Sequence, residues 1–218
     1  MERTFFTSLH TSTKRDYLGR TNDDKVHCMQ VARQYGKDFF DGERRYGFGG
    51  YRYDGRWLPV AQAMAQAYDL KPGARILEVG CGKGFLLYEF THAVPDSSVC
   101  GFDISAYAID EGKKEIRQNM FVHKAEDTPW PFWDKEFDLV YSIATLHNLP
   151  IFDLARALPE MNRVAKNAYL CVESYRNEQE LFNLQCWALT CNSFFNETEW
   201  LWVYDRLGYT GDHEFIYF

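Results

Sequence analysis

Arg75-Ile-Leu-Glu-Val-Gly-Cys-Gly-Lys-Gly-Phe85 is a short apolar run, an acid and three glycines at alternate positions, followed by a helical pattern. A strand that ends in Gly80-x-Gly82-x-Gly84 lets a ligand approach the backbone closely, because no Cβ stands in the way. A dinucleotide-binding turn would instead need Gly-x-Gly-x-x-Gly, with pyrophosphate on the helix N-terminus. Phe85 occupies the place of that third glycine, and Glu78 precedes the first. A carboxylate there repels pyrophosphate and suits an ammonium or sulfonium group. The spacing favours a cationic nucleoside.

Outward from this stretch, strands alternate with helices. The pattern predicts strands over 74–80, 98–104, 121–125, 137–143 and 168–173, with helices over 84–92, 106–118 and 153–165, roughly helical spacing over 178–195 and a terminal strand over 214–218. Such alternation implies right-handed crossovers and a parallel sheet covered on both faces. About 20 residues past the glycines, a Rossmann-like unit ends its second strand with an acid that takes the ribose hydroxyls. Asp103, closing Ser98-Val-Cys-Gly-Phe-Asp103, stands there.

Four segments share this register: Glu78-x-Gly80-Cys81-Gly82-x-Gly84, Gly101-Phe102-Asp103, Ala125-Glu126-Asp127 and Phe137-Asp138-Leu139-Val140. Through them residues 57–175 resemble the class I S-adenosylmethionine (AdoMet)-dependent methyltransferases. The resemblance implies S-adenosyl-L-methionine as cofactor. It also implies an α/β, Rossmann-like, doubly wound and mostly parallel sheet of six or seven strands, with helices on both faces and an N-terminal lid segment. Glu78 would then face the methionine ammonium, and Gly80, Cys81, Gly82 and Gly84 would line the methionine moiety. Asp103 would accept from the ribose hydroxyls, a task suited to two carboxylate oxygens. Ile104 would lie on adenine, and Ala125, Glu126 or Asp127 at its edge, with Glu126 preferred. The plainer alternatives are loop capping for Glu78 and helix capping for Asp103.

The fourth strand ends Ser142-Ile-Ala-Thr-Leu-His-Asn-Leu149. In the family that segment, from Ser142 on, forms one wall of the site. His147 sits at the carboxyl end of a strand, the edge where open α/β sheets bind ligands. With an ordinary pKa near ~6.5, it is the candidate general base for a hydroxyl acceptor. The alternative is a structural histidine. No Asn/Asp-Pro-Pro-Tyr pattern of nucleic-acid base methylation follows this strand.

Residues 41–57 alternate glycine with aromatics and arginines, so neither helix nor strand is natural there. Tyr46, Tyr51, Arg52, Tyr53 and Arg56 are the lid candidates. An arginine or tyrosine among them would hold a methionine carboxylate by charge-assisted hydrogen bonds. Tyr175 and Arg176, past the fifth strand, are acceptor candidates. The expected division is an N-terminal appendage and lid over 1–57 and an AdoMet-binding domain over 58–218.

Composition narrows the rest. A net charge of −7 with no basic stripe argues against nucleic acid as partner. Six cysteines without metal spacing read as reduced, small hydrophobes. The scattered histidines give no metal site. Without a signal-like start or an apolar run of ~20 residues, the chain is expected to be cytoplasmic, with no membrane partner. Aromatic residues make up 17% of the chain, which suits a homodimer contact. The expected partner is a small-molecule acceptor. A vaguer likeness to bacterial methyltransferases associated with surface-polysaccharide synthesis makes a sugar or nucleotide-sugar hydroxyl the first choice. N- or carboxyl-methylation of a small molecule or protein side chain, and a non-catalytic AdoMet-binding regulator, are the alternatives.

Overall fold

A computed structural model describes residues 1–218. In chain order it forms α1 (Thr7–Thr11), α2 (Tyr17–Asn22), α3 (Lys25–Ala32), α4 (Lys37–Asp41) and α5 (Leu58–Ala67), then β1 (Arg75–Val79), α6 (Phe85–Ala93), β2 (Ser98–Asp103), α7 (Ala106–Asp110) and β3 (Met120–Val122). The second half runs β4 (Phe137–Ile143), α8 (Ile151–Val164), β5 (Ala165–Glu173), α9 (Glu178–Trp187), α10 (Glu197–Arg206) and β6 (Asp212–Ile216). The strands pair in the order β3-β2-β1-β4-β5-β6, all parallel. The sheet has six strands, and the last is parallel to its neighbour.

Period-two alternation builds two cores from one sheet. Leu77, Val79, Val140, Leu170 and Val172 face α8 and α10, where Leu158, Met161, Trp200 and Tyr204 bury. Ile76, Leu139, Tyr141, Tyr169 and Cys171 face α5 and α6, against Val60, Met64, Leu87 and Phe90. Both faces being covered, the central strands are mostly apolar, with Glu78 and Ser142 the buried polar exceptions in β1 and β4. The order reverses between β1 and β4, so a crevice opens at their carboxyl ends.

Three expected elements differ. The helix expected over 106–118 stops at Asp110. Past it the Lys113 amide donates to the Lys83 carbonyl at 2.9 Å instead of to a helical carbonyl, and on the observed backbone a Cβ at Gly112 would lie 2.3 Å from Met120 Cε. The third strand is confined to Met120–Val122. The helical spacing of 178–195 yields α9 only to Trp187, because the amides of Asn192 and Ser193 turn away to the His147 carbonyl.

The N-terminal segment is fastened to the last strand. Arg3 donates its amide to the His213 carbonyl at 2.8 Å. One buried carboxylate, Glu214, accepts from the amides of Phe5 (2.5 Å), Phe6 (3.0 Å) and Thr7 (2.6 Å), from the Thr7 hydroxyl and from the Tyr169 hydroxyl. Charge-assisted bonds of this kind are about twice as strong as neutral ones. Glu214→Ala should therefore strand several donors and lower stability by about 3 kcal/mol. Urea melts and amide exchange at Phe5–Thr7 check this; unchanged protection of those amides would refute the latch.

Candidate functional site

The site begins where β1 and β2 end. The amides of Gly80 and Cys81 both donate to the Phe102 carbonyl, at 2.9 and 3.0 Å. The next amide, Gly82, donates to Asp103 Oδ2 at 2.8 Å, and Ser105 donates to Oδ1 at 2.8 Å. Gly80, Gly82 and Gly84 all have positive φ, the left-handed region that favours glycine. A Cβ on Gly80 would lie 2.2 Å from Thr145 Cγ2. Thr145 is brought there by a tight turn in which Ala144 itself adopts φ +52, an unusual conformation for a residue with a Cβ.

Beyond these strand ends lies a cavity of about 420 Å³. Its floor includes Glu78, Gly80, Cys81, Gly82, Asp103 and Ile104, and Ala125 and Glu126 close one end. Burial raises the Asp103 carboxyl, while the two amide bonds oppose that rise. Burial pushes Glu78 well above the usual carboxylate range. The Tyr141 hydroxyl beside it moderates the rise without full hydrogen-bond geometry, and both Glu78 Oε2 and the Tyr141 oxygen are buried without partners. Glu78 lines the cavity, and its orphaned carboxylate oxygen is what an ammonium group would satisfy.

The opposite wall comes from the N-terminal segment. Phe40 and Tyr51 stand over Gly82, each 3.6 Å from where a Cβ would be. Tyr51 stacks on Phe85 at 4.8 Å. Asp41 fixes this wall: it pairs with the buried Lys83, and accepts from the Tyr107 hydroxyl at 2.7 Å and the Tyr51 amide at 3.1 Å. Phe6 and Trp57 stack at 5.5 Å to complete the roof.

Several expected site residues lie elsewhere. Ser142 is fully buried and donates to the Val79 carbonyl at 2.9 Å, tying two strand ends together. Gly84 packs against Met120. Asp127 is exposed and off the cavity, whereas Glu126 lines it. Among the lid candidates only Tyr51 reaches the cavity. Tyr53 donates to Glu89, Arg56 binds Asp54, Arg52 is exposed, and Tyr46 packs on His27. Tyr175 lies off the cavity and Arg176 pairs with Glu180. The wall instead uses Phe6, Arg33, Tyr35, Phe39, Asn148 and Asp153, with Thr190 and Asn192 beyond. These come from separate segments, and none carries a local signature.

The expectation of His147 as general base is corrected. A single turn of 3-10 helix at Leu146–Asn148 buries the ring, and it does not line the cavity. The Glu173 amide donates to Nδ1 at 3.3 Å, which puts the ring proton on Nε2, 3.4 Å from Glu173 Oε2. Burial lowers His147 to about 3 and raises Glu173 to about 7, so this is a neutral imidazole contact and not an ion pair. Because the folded-state value lies below 6.5, the stability from the neutral ring is present above pH 6.5 and is lost as pH falls toward 3. At about 1.4 kcal/mol per pKa unit, with relaxation of the site, the loss should be roughly 3 kcal/mol. His147→Gln should flatten that acid limb in thermal melts against pH; parallel limbs would contradict the assignment.

Comparison with known proteins follows the same geometry. Residues 76–168 match a family described as a methyltransferase domain. The demethylmenaquinone methyltransferase of Roseiflexus sp. (strain RS-1) is 34% identical over 137 residues, covering 62% of this chain and 56% of that protein. Its counterpart from Symbiobacterium thermophilum is 28% identical over 157 residues, covering 66% and 61%. The chain thus spans less than two thirds of these relatives. Among solved structures, the YcgJ protein of Bacillus subtilis superposes with TM-score 0.53 at 18% identity over 67% of this chain and 66% of that one. Geranyl diphosphate C-methyltransferase from Streptomyces coelicolor A3(2) gives 0.52 at 17% identity over 66% and 58%. Glycine turn, strand-end acid and sheet order agree with these matches: over residues 76–168 the chain is similar to methyltransferase domains, and its sheet has the Rossmann-like fold of those solved structures.

Proposed function

We propose that the protein transfers the methyl group of AdoMet to a small-molecule acceptor with an apolar, planar body. One observation carries this reading: the glycine turn, Asp103 and the orphaned Glu78 oxygen share a single cavity with a wall of aromatic side chains. When bound, AdoMet supplies a methyl already made electrophilic by its sulfonium. The chain's residues have the simpler tasks of binding, orienting and excluding water. Glu78 would take the methionine ammonium. Each Asp103 oxygen accepts one backbone N–H, which leaves capacity for both ribose hydroxyls. Ile104, Ala125 and Glu126 would hold adenine.

Residues 1–57 act as the lid, through Phe6, Phe40, Tyr51 and Trp57, and not through an arginine clamp. The side they close is aromatic, which suits stacking on a flat ring. The relatives named demethylmenaquinone methyltransferase and 27-O-demethylrifamycin SV methyltransferase support ring acceptors in their own names. A sugar or nucleotide-sugar hydroxyl is the second reading, favoured by Asn148, Thr190 and Asn192 on the wall. With Glu78, Asp103 and Glu126 on the cofactor side, Asp153 is the wall carboxylate left to take an acceptor proton.

Calorimetry with S-adenosylhomocysteine tests the cofactor site. Asp103→Ala should weaken binding at least about tenfold, as expected for lost charge-assisted bonds. Glu78 starts raised by burial and must be ionised to hold an ammonium, so affinity should climb as pH rises above the usual carboxylate range. Glu78→Gln should abolish the climb. Wild-type protein that binds no S-adenosylhomocysteine would end the proposal. Labelled AdoMet with panels of hydroxylated fused-ring compounds and nucleotide sugars then separates the acceptor readings. Asp153→Asn should lower kcat about 100-fold for a hydroxyl acceptor while leaving S-adenosylhomocysteine affinity intact.

A further inference from the structure

Trp187, the last residue of α9, collects cations. The guanidinium carbons of Arg15, Arg20 and Arg44 lie 5.6, 4.6 and 5.0 Å from its ring centroid. Lys25 reaches the carbonyl of the preceding residue, Cys186, at 2.6 Å. None of the four is within 4.0 Å of a carboxylate oxygen, whereas Arg3, Arg45, Arg56, Arg75, Arg163 and Arg176 all are. Their bonds go to backbone carbonyls instead, Arg15 to His10 and Thr13, Arg20 to Trp187 and Arg44, Arg44 to Gly47 and Phe48, with one further bond from Arg15 to the His10 ring nitrogen Nδ1 at 3.1 Å. Arg15 Nε is buried and has no partner at all.

In a chain with 31 acidic residues against 24 basic ones, four partly buried cations without a carboxylate are conspicuous. Burial and mutual repulsion both work against them: burial lowers all four, Arg44 lowers Arg20 and Arg15 lowers Arg44. The acids near them are engaged elsewhere, Asp23 with Arg45 and Glu173 beside His147. Cation–π contact with the indole recovers part of the cost. The carbonyl bonds hold the guanidinium groups in place and leave donors of Arg15, Arg20 and Arg44 free.

Position gives the cluster a purpose. The carbonyl that holds Arg44 belongs to Phe48, a cavity wall residue, and Thr190, three residues beyond Trp187, is another. Arg33, also on the wall, reaches toward Asn192. The acids of the cavity floor lie at the strand ends. The cations lie on the N-terminal side and around α9.

We propose that Arg15, Arg20, Lys25 and Arg44, gathered on Trp187 beside the cavity wall, bind an anionic group, phosphate or carboxylate, carried by the methyl acceptor. This rests on the methyltransferase reading above for the identity of the ligand, but not for the anion site itself. Guanidinium forks suit either anion by paired hydrogen bonds.

Thermal unfolding of the full chain at constant ionic strength, titrated with inorganic pyrophosphate and separately with citrate, tests it. The midpoint should rise saturably with at least one of them. Arg20→Gln combined with Lys25→Gln should weaken the apparent affinity at least fivefold, and Arg20→Lys should retain most of it. If the double variant does not fold, Lys25→Gln alone carries the comparison, since its Nζ meets only a carbonyl. No shift in the wild type with either anion, or an equal shift in wild type and variants, overturns the proposal. S-adenosylhomocysteine titration of the wild type decides the methyltransferase reading separately.

Discussion

Three consecutive amides at the end of β1 decide what this protein can hold. Gly80 and Cys81 both spend their N–H groups on the Phe102 carbonyl, and Gly82 turns its own toward the Asp103 carboxylate. That sequence of bonds ends the β1–β2 ladder, opens the two strands apart and fixes the acid at the mouth of the gap. It requires positive φ at Gly80 and Gly82, which a residue with a Cβ reaches only at a cost of about 1 kcal/mol or more. It also fixes the β1–β4 side: the turn at Ala144 brings Thr145 against Gly80, where no side chain would fit. Strand order, crevice and site follow from this one local geometry.

The cavity is closed by contacts that are distant in sequence. Glu214 on the last strand gathers the amides of Phe5, Phe6 and Thr7, and so places Phe6 against Trp57 over the crevice. Asp41 ties the Tyr51 turn to Lys83 inside the glycine loop. Each is a carboxylate bound to backbone or to a buried cation, and each joins an N-terminal segment to the sheet. The first 57 residues therefore have few apolar repeats of their own, yet become ordered wall. Their order comes from polar anchors supplied by the sheet.

This division explains what could be read from the sequence. The glycine turn, Asp103 and β4 were legible because backbone constraint and strand periodicity are local signals, and β4 spans the expected 137–143. The helix expected over 106–118 was not, since its end depends on the Lys113 amide meeting the distant Lys83 carbonyl. His147 had the right address and the wrong orientation: a strand end specifies where the chain goes, but one turn of 3-10 helix decides which way the ring points. Ser142 likewise stands at the edge but serves the strand below it. Phe6, Tyr35 and Thr190 carried no local mark, because walls assembled from separate segments have no fixed spacing.

Charge placement gives the cavity a direction. Acids cluster at the strand ends, where burial raises Glu78 and Asp103, the neighbouring Asp103 raises Glu78 further, and a cationic ligand would favour their ionised forms. Cations cluster around Trp187, near walls formed by Phe48 and Thr190. The cavity wall itself is largely aromatic and aliphatic. The acids line the cavity and these cations stand outside it, so a positively charged partner is favoured at the strand ends and a negatively charged group on the flank around Trp187. The proposed methyl transfer would ask for no more than this: two partners held in line by their remote groups, with no strong chemistry required of the residues between them.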